Sequence, residues 1–564
     1  MSALEDDTKA GLAPRGLVFT NLLTPDVDNL FSVFRDAYER RNNPSGMVNF
    51  GVAENSLLRE ELVRYFNTVG LQLSSKELAY NGRFTTSQKL VEALANLYNH
   101  YPDGYANRND WADRKPLVPV KPDHIHVGSG AGAVLNSLAW TLCEKGEGVL
   151  LSLPYYNGFL YDFTFKAEAT LVKVKLPIPE AGKSSHDQAW LKPDTVQSYE
   201  LALLDAKEKG IKTRVLLYCN PHNPTGQIMP REMTIELLKL AAKYDLHFIS
   251  DEIYSRSVYE PSPASPAPPQ FHSVLSIDTL AVAGLHPSRV HVVSSASKDF
   301  SANGFRQGVC ISQANSALLR ALNMQNLPSQ SSTIAGNLWA NWLQDTEYLE
   351  WYLEENTRRL AVACSHTQRW LQVHDIRFVT SNAGHFFLVD FRRFLGGVNA
   401  EVSSDSSFDE IEDARKAEAD LAGRLIKGKV FVAPGGQYEH PVPGWFRFTY
   451  SAEPHALLEG MERVENVLGL PAKAKEFGLL DLEGGAKQPP KRGLDAKTAT
   501  ESQGEGAKEA LEDSNDSHKG SAHTSRSHTV AYPTLLSSAE QPRKSKRSLF
   551  QRLLSLALRD VIWN

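Results

Sequence analysis

The segment SASKDFSANGFR, Ser295 to Arg306, sets a lysine and an arginine eight residues apart around a glycine turn. An amine able to form a Schiff base, followed by a permanently charged fork suited to phosphate, is what holding pyridoxal 5'-phosphate requires. One lysine among 60 basic residues is more often a solvated surface group. Lys298 therefore gains meaning only if the rest of a cofactor site stands elsewhere in the chain, and several segments supply it.

SDEIY, Ser250 to Tyr254, follows the strand-like His247 to Ile249. A carboxylate on the pyridine nitrogen keeps that nitrogen protonated, so that the ring can draw electrons from a substrate Cα. Asp251 is the candidate, with Tyr254 three residues on as a ligand of the phenolic oxygen; the alternative is that Asp251 caps a following helix. CNPHNPTG, Cys219 to Gly226, carries two Asn-Pro steps. Proline bars helix for the residue before it, which lets a tight loop hold Asn223 as a hydrogen-bond donor, although an ordinary turn has the same look.

VGSGAGAVLNSLAW, Val127 to Trp140, is a glycine-rich turn opening a helix, and backbone N–H groups at a helix N-terminus bind anions. It does not match the dinucleotide pattern G-x-G-x-x-G. LPYYNGF, Leu153 to Phe159, puts two tyrosines after an apolar strand, either to stack on a ring or to fill a core. GWFRFTYS, Gly444 to Ser451, places Arg447 inside a strand of bulky residues. There a guanidinium needs a partner, either a substrate carboxylate or a structural one.

The elements that must position these residues follow from hydrophobic patterning. From Val118 to Ser312 short apolar runs alternate with helical patterns, which reads as an α/β domain with a mainly parallel sheet. Expected strands are Val149 to Leu153, Arg214 to Tyr218, His247 to Ser250, Val290 to Ser294 and Val309 to Ser312. The first four lead into candidate residues, as fits ligand binding at the carboxyl ends of strands. After Asn315 a long helical region to about Arg369 precedes strand-like Ile376 to Thr380, His385 to Phe391, Val430 to Ala433 and Phe446 to Tyr450, a smaller α+β domain. It closes with a helix carrying Leu457, Leu458, Met461, Val464 and Leu468. EPSPASPAPPQ, Glu260 to Gln270, and Ser403 to Asp413 read as exposed loops. From about Ala472 the composition turns polar until about Arg547, which suits a disordered tail. The last residues form a candidate amphipathic helix behind Arg543, Lys544, Lys546 and Arg547, either a membrane or partner contact or a functionless end.

At 564 residues with 42% hydrophobic and 22% charged residues, the chain has the usage of a soluble protein of two or three domains. A net charge of -6 gives no pull toward nucleic acid, and no such partner is expected. Cys143, Cys219, Cys310 and Cys364 stand far apart, without metal-site or disulfide spacing, and read as buried thiols. No metal is expected. The start lacks an apolar signal region and no run of about 18 apolar residues occurs, so a cytoplasmic location is the expectation.

With these motifs assembled, the chain resembles the class I and II aminotransferase family of pyridoxal-phosphate enzymes, and within it the 1-aminocyclopropane-1-carboxylate synthase-like subgroup. The likeness runs from about Asn43 to Leu470. NPSGMVNFGVAEN, Asn43 to Asn55, is its more specific part, with SNAGHFFLVD, Ser381 to Asp390, and VAPGGQYEHPVPGWFRFTYS, Val432 to Ser451. The loop NPHNPTG carries Thr225 where plant synthases have leucine, the form usual among transaminases.

The resemblance implies an aminotransferase-like fold type I. It divides the chain into an arm at 1–42, a segment 43–75 joining the small domain, a large cofactor domain at 76–330, a small domain at 331–470 and the tail at 471–564. It makes Lys298 the Schiff-base lysine and proton shuttle, Asp251 the pyridinium partner, and Asn223 and Tyr254 the ligands of the ring oxygen. Gly130, Ala131, Ser295, Ser297 and Arg306 would hold the phosphate, and Tyr156 would stack on the ring. Tyr80 would reach across a homodimer with shared active sites; Ala53 and Glu54 would lie at the substrate, with Arg447 clamping its carboxylate. The expected reaction is transamination between an L-amino acid and a 2-oxo acid. Synthase-type lyase chemistry on S-adenosylmethionine, a carbon–sulfur lyase and a catalytically silent binding protein are the alternatives.

Overall fold

The computed structural model describes residues 11–14, 16–17, 31, 33–69, 75, 86–101, 115–184, 187–259, 270–397 and 402–490. Tyr80, residues 260–269 of the proline-rich insert and everything from residue 491, the terminal amphipathic segment included, lie outside them.

The chain enters through a short strand, β1 (Val48–Asn49), and then lays down the strands of a larger sheet. These are β2 (Ile125–Gly128), β3 (Gly148–Leu153), β4 (Thr170–Lys175), β5 (Thr213–Cys219), β6 (His247–Asp251), β7 (Val290–Ser295) and β8 (Gly308–Ile311). Among the described residues they form one seven-stranded sheet in the order β2-β8-β7-β6-β5-β3-β4. The run from β4 to β7 is parallel, while β8 lies antiparallel to β7 and to β2.

Side chains alternate across a strand, so consecutive apolar residues require cover on both faces. That is what happens. Leu150, Leu216, Phe248 and Val292 enter one core cluster, and their neighbours Val149, Leu151, Val215, Leu217, Ile249 and Val293 enter another on the opposite face. Helices Val196–Glu208 and Arg231–Lys243 contribute to the first cluster and helix Ala131–Leu142 to the second.

The smaller part is built from β9 (Phe386–Asp390), β10 (Val430–Phe431), β11 (Ala433–Pro434) and β12 (Trp445–Thr449). β11, β12 and β9 form an antiparallel sheet, and β1 pairs in parallel with β10. The helix Pro454–Leu468 packs here through Leu457, Met461, Val464 and Leu468, the apolar stripe expected from the spacing. Proline at its first position and Gly469 in the left-handed region (φ +67°) just past its end set its limits.

The expected strands of the larger sheet are present within one or two residues, but β2 and β4, its outer strands, had not been singled out. Other expectations are refined or corrected. The long helical region is three helices, Ser316–Gln325, Thr333–Gln344 and Thr346–Val373, because Ser332 and Asp345 accept backbone N–H groups and start new helices. Ile376 to Thr380 is not a strand; only Phe378 bridges to Val389. The loop from Ser403 ends early, since Ser407 and Glu410 make a capping box that opens helix Phe408–Lys427.

The polar stretch after Ala472 is also ordered at first. Ala474 and Leu480 join the core of the smaller part, and helix Ala474–Phe477 intervenes. One oxygen of buried Glu465 accepts from Trp370 Nε1 (2.8 Å), His374 Nε2 (2.8 Å), Lys473 N (3.1 Å) and Ala474 N (2.7 Å). Further on, Trp351 Nε1 donates to Lys487 O and Arg358 Nη1 to Gly484 O, each at 2.8 Å. Composition misses this because the anchoring groups are backbone amides and carbonyls.

Candidate active site

The carboxyl ends of β5, β6 and β7 lie side by side, and the chain leaving each carries candidate residues. Asp251 closes β6 and is 4% exposed. Its carboxylate accepts Ile253 N at 3.3 Å and has the Cys219 thiol at 4.0 Å, and among the described residues no cation pairs with it. Burial raises its pKa to about 7, against the Ile253 N–H bond, with Glu252 and Asp299 adding to the rise. No helix begins at residue 252, where a turn follows, so Asp251 is not a helix cap.

Lys298 leaves the end of β7 and its Nζ donates to Ala53 O at 2.6 Å. Burial, Arg447 and Arg306 lower its pKa to about 8, while Glu54 opposes them. The segment Asn43 to Asn55 thus reaches the lysine. It is sewn to the smaller part by Phe50 N to Phe431 O (2.7 Å) and Thr449 N to Phe50 O (2.9 Å). Glu54 itself lies near Arg59 at 3.6 Å, with its side chain 43% exposed.

An anion cradle stands beside these groups. Gly130 (φ +96°) precedes Ala131, the first residue of helix Ala131–Leu142, whose leading N–H groups have no intrahelical acceptor. A Cβ on Gly130 would stand 2.3 Å from Arg306 Nη2, and one on Gly308 would stand 2.2 Å from the Gly130 carbonyl carbon, so only bare backbone lets these segments meet. Arg306 donates to the carbonyls of Asn303 (3.0 Å) and Ser129 (3.5 Å), and among the described residues no carboxylate pairs with it. Ser295 and Ser297 are buried at the same strand end, joined by Ser297 N to Ser295 Oγ at 3.0 Å.

The two tyrosines of LPYYNGF divide the alternatives between them. Tyr155 is core, bonded to Glu439 Oε1 at 2.5 Å, whereas Tyr156 is 38% exposed although Asp162, Arg447 and Asp251 all act on its phenol. Asn223 is buried, and its Oδ1 accepts Arg447 Nη1 at 2.9 Å, which leaves its NH2 group as the donor. Tyr254 is buried with its ring edge-on to His385 and Phe386.

Arg447, on β12, is 4% exposed. Its Nη2 donates to Gly51 O, and its buried Nε has no partner among the described residues. The guanidinium lies between Phe386 and Tyr438, 4.6 and 4.7 Å from the ring centres. Among the described residues no carboxylate pairs with it, so the structural salt bridge is not found. Phe386 and Tyr438 had not been named as site residues, though both lie in the quoted segments SNAGHFFLVD and VAPGGQYEH. His385, fully buried and with no partner for its Nδ1 among the described residues, was also missed. Tyr80 lies outside the described residues.

A buried carboxylate without a cation, an arginine and helix end without an anion, and an amine of lowered pKa are complementary to a molecule with a protonated ring nitrogen, a phosphate and an aldehyde. The residues present fit pyridoxal phosphate. The model of the family described as aminotransferase class I and II matches residues 45–464. The chain belongs to this family. It is 32% identical over 432 residues to the probable aminotransferase gliI of Aspergillus fumigatus, covering 76% of this chain and 91% of that one. It is 29% identical to the human 1-aminocyclopropane-1-carboxylate synthase-like protein 1, covering 77% of this chain and 78% of that one. Among solved structures, the aspartate aminotransferase from Thermus thermophilus with maleate superimposes with a TM-score of 0.57 at 19% identity, over 81% of this chain and 99% of that one. The fold is thus that of the fold type I aminotransferases, a family of pyridoxal-phosphate enzymes. Among the described residues no helix is long and apolar enough to cross a membrane.

Proposed function

We propose that the protein is a pyridoxal-phosphate-dependent aminotransferase that moves the amino group of an L-amino acid to a 2-oxo acid. One observation carries the reading: Lys298, Asp251 and Arg447 converge on one site, the aspartate and arginine buried and the lysine partly so, and none has a counter-ion among the described residues. Buried charge without a partner is costly and is retained where a ligand completes it.

When bound, the cofactor supplies an electron sink that lets a bond at the substrate's Cα break. Asp251 would hold the ring N–H, and Asn223 Nδ2 and the Tyr254 hydroxyl the ring oxygen. Gly130 and Ala131 at the helix N-terminus, with Ser295, Ser297 and Arg306, would hold the phosphate. Tyr156 would cover one ring face, and Ala53 and Glu54 would border the substrate. Arg447, fixed by Asn223, Gly51 and its two aromatic neighbours, offers a preset guanidinium to the substrate carboxylate. Lys298 Nζ, whose pKa is lowered to about 8, would take the substrate's Cα proton and serve as its shuttle. A homodimer with Tyr80 at a shared site, in the cytoplasm, belongs to the same proposal.

The test is a panel of L-amino acid donors with a second 2-oxo acid. The donor's 2-oxo acid and the new amino acid should form in equal amounts. Release of methylthioadenosine from S-adenosylmethionine, or of pyruvate and a thiol from a cysteine conjugate, with no exchange of amino groups, would replace this reading with a lyase. No product from any substrate despite cofactor uptake would make the protein a silent relative.

A further inference from the structure

Behind the site lies a buried polar group that the proposed chemistry leaves unexplained. Asp299 directly follows Lys298 and is 0% exposed. Its Oδ2 accepts Arg256 N at 3.0 Å and Ser255 Oγ at 3.3 Å, and its Oδ1 accepts Ser257 Oγ at 2.8 Å. All three donors belong to the turn that begins at Tyr254. Arg256, also fully buried, sets Nη1 3.9 Å from the carboxylate and lies over the Tyr98 ring at 4.7 Å. Among the described residues its Nε and Nη2 have no partner.

A buried ion pair with two unmet nitrogens is a poor source of stability, since apolar side chains of similar volume would serve as well or better. Its yield is geometry. The carboxylate ties the lysine's turn to the tyrosine's turn, and the other side of the lysine's turn is fixed as well: Tyr352 OH donates to Asp299 O and Ser301 N to Lys298 O, both at 3.1 Å.

The tie reaches a third segment. A serine hydroxyl has one proton, and Ser257 gives it to Asp299, so the 3.4 Å contact of Ser257 Oγ with His385 Nε2 requires the imidazole to be the donor. His385 immediately precedes β9, which pairs with the strand bearing Arg447. Asp299 and Ser257 therefore join the segments that carry Lys298, Tyr254 and Arg447.

We propose that Asp299 is a positioning residue whose carboxylate, through Ser257, fixes the lysine and the tyrosine of the cofactor site relative to each other and to the substrate arginine. This rests on the reading of Lys298 and Tyr254 as cofactor residues. Asp299 touches neither cofactor nor substrate; it acts on them by holding the backbone from which they project.

The experiment compares the cofactor-loaded wild type with Asp299→Asn and Ser257→Ala, using Asp390→Asn as a control that disturbs a buried carboxylate away from the site. Each protein is melted, emptied, titrated with pyridoxal phosphate, and examined for the circular dichroism that the protein induces in the cofactor's visible band. Asp299→Asn should bind pyridoxal phosphate about tenfold more weakly and Ser257→Ala about threefold, the scale of one or two lost buried hydrogen bonds. Both should weaken the induced band and lower kcat with little change in KM. The control should lose thermal stability and keep affinity and band. If the wild type takes up no pyridoxal phosphate, the cofactor reading fails first. If the wild type binds while both variants match its affinity and band, the positioning role is wrong. Should Asp299→Asn fail to fold, Ser257→Ala decides alone.

Discussion

Two aspartates close two strands, Asp251 at the end of β6 in the larger sheet and Asp390 at the end of β9 in the smaller, with exposures of 4% and 5%. Asp390 is clasped by Arg392 Nε (2.9 Å) and Nη2 (2.7 Å) and by Arg377 Nη2 (2.6 Å), and Arg392 and Arg377 hold its carboxyl below the usual range despite burial. Asp251 has one backbone N–H and a distant thiol, and burial lifts it to about 7. Residue type, strand position and burial are shared, yet the two pKa shifts run in opposite directions. The difference lies in who supplies the positive charge: the chain itself for Asp390, and, in the function proposed above, a bound cofactor for Asp251.

The sharpest way to break that contrast is to remove the site's own amine. Lys298→Ala should abolish borohydride-stable attachment of the cofactor and cut turnover by at least about ten-thousandfold, as loss of a covalent group and proton carrier does. Mass spectrometry that finds the reduced cofactor on another lysine would relocate the site.

Asp251→Asn should lower turnover by at least about a hundredfold, roughly 3 kcal/mol in the barrier. Its effect on stability should run the other way. A carboxyl whose folded pKa is raised penalises the fold as pH climbs from about 4 through about 7, because the unfolded chain loses its proton first. The emptied variant should therefore melt higher than the emptied wild type above pH 7 and no higher at pH 4. An unchanged melting difference across that range would mean that Asp251 is not held neutral.

Glu465 belongs with Asp390, as a buried carboxylate completed from within the chain. Ending the chain at residue 490 should leave stability and cofactor affinity unchanged. Ending it at residue 470 deletes Ala474, Leu480 and two of the N–H donors to Glu465, and should cost about 3 kcal/mol in denaturant unfolding. Equal stability of the two truncations would show that residues 471–490 only lie on the surface.

The smallest effect is expected at Asp390. Asp390→Asn should cost about 2 kcal/mol at pH 7, since Arg392 and Arg377 can turn partly to solvent. A lowered pKa stabilises the fold above the ordinary carboxylate pKa, and that contribution fades as pH falls below about 4, so wild type and variant should converge in acid. Cofactor affinity should not change.

Much of this was legible in the sequence. Apolar runs that need cover on both faces gave the parallel strands, and the motif residues at their ends assembled where strand-end loops meet. The contrast between Asp251 and Asp390 was not legible, because the arginines that decide it, Arg377 and Arg392, look like any surface cations until β9 is placed between them. Ile376 to Thr380 has strand-like residues but finds a partner only at Val389. The stretch after Ala472 is polar by side chain and is held through its backbone. Asp299 stands next to the lysine in the sequence, and nothing there tells which donors meet it.

The pairing of β1 with β10 bears on how the protein is made. Lys298 rests on a carbonyl made 245 residues earlier, and Arg447 bonds to Gly51 across 396 residues. Contacts of such separation form late, after loop closure has been met by other contacts. A ribosome that stalls before residue 447 releases a chain that can own the larger sheet, Lys298 and Arg306, but not Arg447, the arginine proposed to meet the substrate. Competence for the proposed reaction would thus be withheld from incomplete chains by the order of synthesis itself.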